Sequence, residues 1–488
     1  MHDEAIFDDI PNELRPTDGL LVKWPGRYLE SDAAEIVELR RLVQFGNDAS
    51  NAVHFASKCR GVVVYDATDG GWRVFDGRRW ERDGTGGIMR LAKAVVSELL
   101  RLATLIESDD ARKSAVTYAI RLGGRRQLEA MIELAKSELP AIAADFDADP
   151  FTLNVENGIL DLRTGALRDH DPAAYLTKLA PVTYHASAAA PRWERFLAEI
   201  FLGRADLICY VQRLVGYMLT ADVSEHALPI AYGLGANGKS VFVGTLQKLL
   251  GDYALHADVS LFLARREHGA TPELARLKGV RLVAASEMPE GGRLSENLIK
   301  SLTGGDRIAA RELYGRFFEF TPTAKFVLAT NYKPVVRGDD DGIWRRLKLI
   351  PFEASFNGAD ADLRLPEVLE GELPGILRWA VEGCLRWQLD GLLEPKPIAK
   401  AVAEYRSESD ALGAFIDDRC VVRGECEARA IALGAAYKAW AEASNERPLP
   451  ARAFRAKIRE RGFTERRSHG DVIFRGIGLR DEREAGAI

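Results

Sequence analysis

Cysteine is scarce and scattered in this sequence: five among 488 residues, Cys59, Cys209, Cys384, Cys420 and Cys426. No two form a C-x-x-C pair, which excludes a zinc ribbon and points to a reducing compartment. No apolar run reaches membrane-spanning length. The opening residues, Met1-His2-Asp3-Glu4, are acidic where a secretory leader is basic, so a cytoplasmic protein without a membrane partner is expected. Excess positive charge is missing as well, since 66 Lys+Arg stand against 72 Asp+Glu for a net of -6. A nucleic-acid partner must then be held by local basic patches. Compositional bias is absent: 47% hydrophobic and 28% charged residues exclude a disordered or fibrous chain. The length leaves room for about three domains.

What is present is a phosphate-loop pattern. Gly233-Leu234-Gly235-Ala236-Asn237-Gly238-Lys239-Ser240 matches G-x-x-x-x-G-K-[ST] at every fixed position. Residues 228–232 read as a short buried strand before it, and residues 240–250 as an amphipathic helix closed by Gly251. In that order, glycines let backbone amides crowd the phosphates and the helix N-terminus adds positive potential. Lys239 then reaches the terminal phosphates and the Ser240 hydroxyl is placed to ligate Mg²⁺. The candidate ATP-binding residues are Gly233, Gly235, Ala236, Asn237, Gly238, Lys239, Ser240 and Val241.

Further chemistry follows in order. An apolar run over 280–285 ends in Ser286-Glu287, the form of a Walker B strand with Ser where the generic version has Asp. Glu287 is the candidate for polarising the attacking water and, with Ser240, for the metal. A third apolar run, 326–329, ends in Thr330-Asn331, and an amide at that tip is suited to sensing the terminal phosphate. Arg345-Arg346 precedes the run 347–352. Guanidinium groups stabilise charge on a transferring phosphoryl group, commonly from a neighbouring subunit.

The flanks are less explicit. Residues 1–50 show one helical pattern near 33–45 and no chemistry. Three β-prone runs around 62–65, 72–75 and 78–80 interleave aromatics with arginines, and are expected to form a half-buried sheet face before a base-stacking platform. Helices are expected over 89–106 and 111–139, a strand-turn over 157–165, and a helical collar over 193–219. Pro395 and Pro397 mark a linker. Residues 451–480 carry nine Arg/Lys against three Asp/Glu, a net of +6 in an acidic chain. A basic helix over 451–461 and strands at 462–463 and 472–474 make Arg452, Arg455, Arg459, Arg466 and Arg467 candidate phosphate contacts.

The order of these motifs resembles the superfamily 3 helicases, specifically the C-terminal part of phage and plasmid primase-helicases. The match rests on 235–240, Ser286-Glu287, Lys300-Ser301-Leu302-Thr303-Gly304-Gly305-Asp306, Ala329-Thr330-Asn331-Tyr332-Lys333-Pro334 and Trp344-Arg345-Arg346. Residues 72–83 and 154–165 look like the accessory domain of poxvirus-type primase-helicases. The resemblance implies an α/β fold with an AAA+-like phosphate-loop core, a mixed α+β accessory domain and a C-terminal winged helix. It implies boundaries of 51–190 for the accessory domain, 191–226 for a helical collar, 227–390 for the motor, 391–410 for a linker and 411–482 for the winged helix. It also implies catalytic roles for Lys239, Glu287, Asn331 and Arg345 or Arg346, with ATP and Mg²⁺ as cofactors. The partners would be single-stranded and forked DNA, other copies of the chain in a hexameric ring, and a separate primase or polymerase. A hairpin between 306 and 320 would grip DNA through Arg307, Arg311, Tyr314 and Arg316. With no zinc motif and no run of catalytic carboxylates, independent primer synthesis is not expected. The alternative from the same residues is an initiator or loader that remodels DNA without unwinding.

Overall fold

The computed structural model describes residues 32–264, 271–313, 315–336, 340–357, 362–444, 448–468 and 471–480. Helices Asp32–Phe45, Asp48–Cys59, Gly87–Thr104, Asp109–Leu122 and Arg125–Ala135 gather around one apolar core running from Leu39 to Leu139. A reciprocal cap starts the second helix: Ser50 N donates to Asn47 Oδ1 at 2.9 Å and Asn47 N to Ser50 Oγ at 2.7 Å. The helix expected over 111–139 is two, parted at Gly123-Gly124. The core also takes Leu39 and Leu42, so this module begins before residue 51.

Strands β1 (Val63–Asp66), β2 (Gly71–Phe75), β3 (Trp80–Arg82) and β4 (Pro140–Ala141) form a sheet in the order β3-β2-β1-β4. Trp72, Phe75 and Trp80 are buried in it, so these rings are core and offer no base-stacking face. An antiparallel meander of β5 (Thr152–Val155), β6 (Gly158–Asp161) and β7 (Ala166–Arg168) follows.

That meander belongs to the next core. Leu153, Val155, Leu160 and Leu162 pack with helices Pro191–Ile200, Ala205–Met218 and Leu373–Asp390 against the central sheet. The expected collar is therefore not a separate layer. Trp193, Phe196, Leu197 and Ile200 form one apolar helix face, and the Trp193 ring stacks on Phe242 with centroids 5.7 Å apart. Helices Ala205–Met218 and Leu373–Asp390 cross so closely that a Cβ on Gly216 would lie 2.0 Å from Cys384 N, and one on Gly383 2.0 Å from Gln212 O.

The central sheet holds β8 (Leu228–Tyr232), β9 (Ala254–His256), β10 (Leu282–Ser286), β13 (Lys325–Thr330) and β14 (Leu347–Pro351), all parallel, in the order β14-β8-β13-β10-β9. All but the edge strand β9 read as continuous apolar runs because both faces are covered. Ala284, Val327 and Ile350 enter the core just described, while Val283, Leu328 and Leu349 enter a second one on the opposite face. Between β10 and β13 the chain inserts an antiparallel hairpin, β11 (Ile308–Arg311) and β12 (Phe317–Phe320).

The linker expected over 391–410 is a packed helix, Lys396–Glu408, with Ile398 and Tyr405 buried. Pro397 lies in its first turn, where a missing amide costs nothing. The last module is helix Ala411–Arg419, β15 (Cys420–Arg429), helices Ala430–Ala443 and Ala451–Glu460, then β16 (Thr464–Ser468) and β17 (Asp471–Leu479). Its sheet runs β15-β17-β16 over a core of its own that includes Phe415, Leu433, Phe454 and Phe474. The first of the two terminal strands starts beyond the expected 462–463.

Candidate functional site

The site grows from the carboxyl ends of three adjacent strands. Tyr232 of β8 sits opposite Thr330 of β13, and Ala329 of β13 opposite Ser286 of β10. The phosphate-loop, Asn331 and Glu287 therefore leave the same sheet edge in neighbouring positions. Gly238 is left-handed at φ 85, and a Cβ there would come within 2.6 Å of Ile200 Cγ2. Only glycine allows the loop to turn so close to helix Pro191–Ile200. Helix Lys239–Leu250 starts immediately after it.

Lys239 is 7% exposed. Its ammonium donates to Gly233 O at 2.6 Å, Leu234 O at 3.3 Å, Asn237 Oδ1 at 3.0 Å and Asn331 Oδ1 at 3.0 Å. These are all neutral oxygens, and no carboxylate pairs with it among the described residues. Burial lowers its pKa accordingly. A desolvated cation with neutral partners at a helix N-terminus is a site prepared for an anion. Asn237, itself buried, also donates through Nδ2 to Phe352 O at 3.0 Å, tying the loop to the end of β14. Gly233 is buried behind the loop, Gly235 and Ala236 are exposed on it, and Val241 is half-buried on the helix. Ala236 adopts φ 57.

Ser240 and Glu287 are exposed. Glu287 has φ 66, a left-handed conformation uncommon for a side-chain-bearing residue, and its amide donates to Ala329 O at 3.2 Å. Strain of this kind gathers at functional positions. The hydroxyl of Ser240 and the carboxylate of Glu287 are hard oxygen donors, which fits Mg²⁺.

The two arginines part company. Arg346 is 8% exposed, with Nε on Thr303 Oγ1 at 3.0 Å and Nη1 on Gly342 O at 2.5 Å. Burial lowers its pKa, and its carbonyl accepts from Leu228 N at 2.6 Å. These bonds tie the start of β14 to Thr303 and to β8. Arg345 is exposed and makes no ion pair with a described residue. The preceding acids bond elsewhere, Asp340 to Lys300 and Asp341 to Arg406 at 2.8 Å.

Of the hairpin residues, Tyr314 lies outside the described residues. Arg307 is exposed 3.9 Å from Glu319, Arg311 lies 5.0 Å over the Phe317 ring, and Arg316 is exposed without a described ion-pair partner. Leu313 and Phe317, 71% and 67% exposed, join them at the tip, and the sequence reading missed both. An apolar pair in a projecting charged loop was the available signal.

In the C-terminal module, Arg466 is tied to Glu427 at 2.6 Å and Arg459 lies 3.6 Å from Glu465, so these two are partly neutralised. Arg452, Arg455 and Arg467 have no carboxylate partner among the described residues, and Arg452 and Arg467 are exposed.

Fold and site define an α/β protein with a G-x-x-x-x-G-K-S loop at the carboxyl edge of a five-stranded parallel sheet. Residues 52–202 match the family described as D5 N terminal like, and residues 231–346 match a family of unknown function. The chain is 29% identical over 305 residues to a protein of Acanthamoeba polyphaga mimivirus named as a helicase, covering 58% of this chain and 32% of that protein. It is 26% identical over 210 residues to an African swine fever virus protein named as a primase, covering 41% of this chain and 22% of that one. The chain thus spans about a third or less of the length of these curated relatives. Among solved structures it is similar to the apo C terminal region of NrS-1, at 11% identity and a TM-score of 0.44, covering 85% of this chain and 96% of that one. Two segments of the chain thus match family models, and the chain is similar to proteins of large DNA viruses named as helicase and primase. Among the described residues no helix is long and apolar enough to cross a membrane.

Proposed function

We propose that this chain is an ATP-driven DNA helicase motor of superfamily 3, an AAA+-like ring of six copies that moves along single-stranded DNA during replication of a mobile or viral genome. The observation that carries the reading is the Lys239 ammonium, buried among neutral oxygens and 3.0 Å from the amide oxygen of Asn331 at the tip of β13. A triphosphate entering the loop supplies the anion that Lys239 lacks. Asn331, now sharing that lysine, reports whether the terminal phosphate is present. Glu287, one strand further along the same edge, orients the water. Mg²⁺ held by Ser240 and Glu287 would neutralise charge on the phosphates. Arg345, exposed and without an ion pair among the described residues, is the arginine available to a neighbouring copy's site, while Arg346 holds the sheet that presents it. The β11–β12 hairpin grips the strand. The C-terminal module, whose helix-strand-helix-helix-strand-strand order suits a winged helix, holds duplex through Arg452, Arg455 and Arg467. A separate primase or polymerase would make the primers.

Two measurements on one variant test this. Lys239→Ala is expected to lose ATP hydrolysis and strand displacement on a forked DNA together, and strand separation that persists in it would sink the mechanism. DNA-stimulated hydrolysis by the unaltered protein without any displacement would favour an initiator or loader.

A further inference from the structure

A cleft of about 510 Å³ lies where the N-terminal sheet meets the phosphate-loop core. Arg73 of β2, Glu81 and Arg82 of β3, Arg79 just before β3, Lys178 and Asp252 line it. Most of its charge is already matched. Arg79 bonds to Glu81 and Asp252, and Arg73 pairs with Asp66 at 3.0 Å and Asp69 at 3.4 Å. Two cations are left over. Arg82 Nη2 donates only to the Asp69 carbonyl, at 3.3 Å, and the Lys178 ammonium makes no hydrogen bond or ion pair with a described residue. Lys178 is half-buried, and burial is the main cause pulling its pKa down, partly opposed by Asp147 and Asp252. Nothing in the fold needs a desolvated lysine here for pairing, and such a group in a cleft marks a binding site.

Beside the cleft, Asp69, which accepts from Arg82 through its carbonyl, leads on to the hairpin through Lys278. Lys278 lies 3.9 Å from Asp69 Oδ1, and its ammonium sits 5.5 Å over the Phe318 ring of β12. The walls are polar, and Trp80, the one aromatic residue there, is 1% exposed, so no ring face is offered to a base. That combination suits a backbone phosphate and not a whole nucleotide.

We propose that this cleft binds the sugar-phosphate backbone of the single strand gripped by the β11–β12 hairpin, with Arg82 and Lys178 each meeting one phosphate. The inference rests on the DNA-motor reading and extends it to the accessory module, which then guides the strand and does not merely brace the motor.

The test is equilibrium binding of a fluorescent oligothymidylate over a series of salt concentrations, with the full chain, Lys178→Met, Arg82→Gln and the double variant. Each single change is expected to weaken binding and to lower the slope of log affinity against log salt by about 0.7, and the double change by about 1.4, the values for one and two phosphate contacts on a single strand. Slopes equal to that of the unaltered chain overturn the inference, and so does weaker binding at unchanged slope, which is the mark of a structural loss. Arg82 is exposed and Lys178→Met removes a desolvated charge, so thermal unfolding of both variants should match the parent. Competition by ADP that depends on Lys178 in a Lys239→Ala background would make the cleft a nucleotide site and overturn the strand assignment. Failure of the unaltered chain to bind the oligonucleotide at all would instead overturn the motor reading, a separate result.

Discussion

Lys239 and Arg346 are both buried cations with no ion pair among the described residues, yet their surroundings give them opposite uses. The lysine faces a loop that is open on one side. The guanidinium is enclosed by Thr303 and Gly342, and its own carbonyl starts β8 pairing at Leu228. Arg346→Ala is therefore expected to cost about 1–3 kcal/mol of stability, the usual cost of orphaning buried partners, and a denaturant titration reads it. Arg345→Ala should leave that titration unchanged and lower ATP turnover in the assembled protein. The sequence displayed the pair but not the distinction, because adjacent residues face different ways and only the start of β14 decides which is inside. Glu287 was legible as an acid at a strand end, whereas its left-handed backbone was not.

At the scale of elements, what the sequence revealed and what it hid follow from how each element is buried. Four strands of the central sheet, β8, β10, β13 and β14, are covered on both faces, so they stand out as apolar runs and were read within one or two residues, whereas the short edge strand β9, only partly buried, was not read. β15 was missed because only Cys420 of it is fully buried, leaving a polar, exposed edge strand with no alternation to find. Helix Pro191–Ile200 was seen but misplaced: an amphipathic pattern gives the apolar face and not the partner it packs on. Pro395 and Pro397 were read as punctuation, though the first turn of a helix uses them equally well. The crossing of helices Ala205–Met218 and Leu373–Asp390 was invisible, since a glycine in a helix looks like a weakness until a neighbouring backbone is known. Gly383→Ala would push a methyl into the Gln212 carbonyl and is expected to destabilise by about 3 kcal/mol, the upper end for overpacking. Calorimetric melting checks it, and a melting point equal to the parent's would mean the helices part without cost.

For the molecule as a whole, the division into cores matters more than the motif order. One closes within residues 39–139, each face of the central sheet carries one built from residues 153 onward, and the C-terminal module has its own. The D5 N terminal like match, 52–202, runs across the first of these divisions. A chain starting near residue 143 keeps Leu153, Leu160, Trp193 and Ile200 with the sheet they cover, and should melt cooperatively by circular dichroism. A chain starting at residue 203 strips that cover from Phe242 and should aggregate. The position of the seam also bears on heredity. Genes of replicating elements are reshuffled by recombination, and a crossover falling between the coding positions for residues 142 and 151 leaves the core of 39–139 and the cores from 153 onward each with one parent, dividing only the small cluster in which Trp80 stacks on Tyr175. One falling at the edge of the family match cuts a single interior between two parents, and its product has no lineage to found.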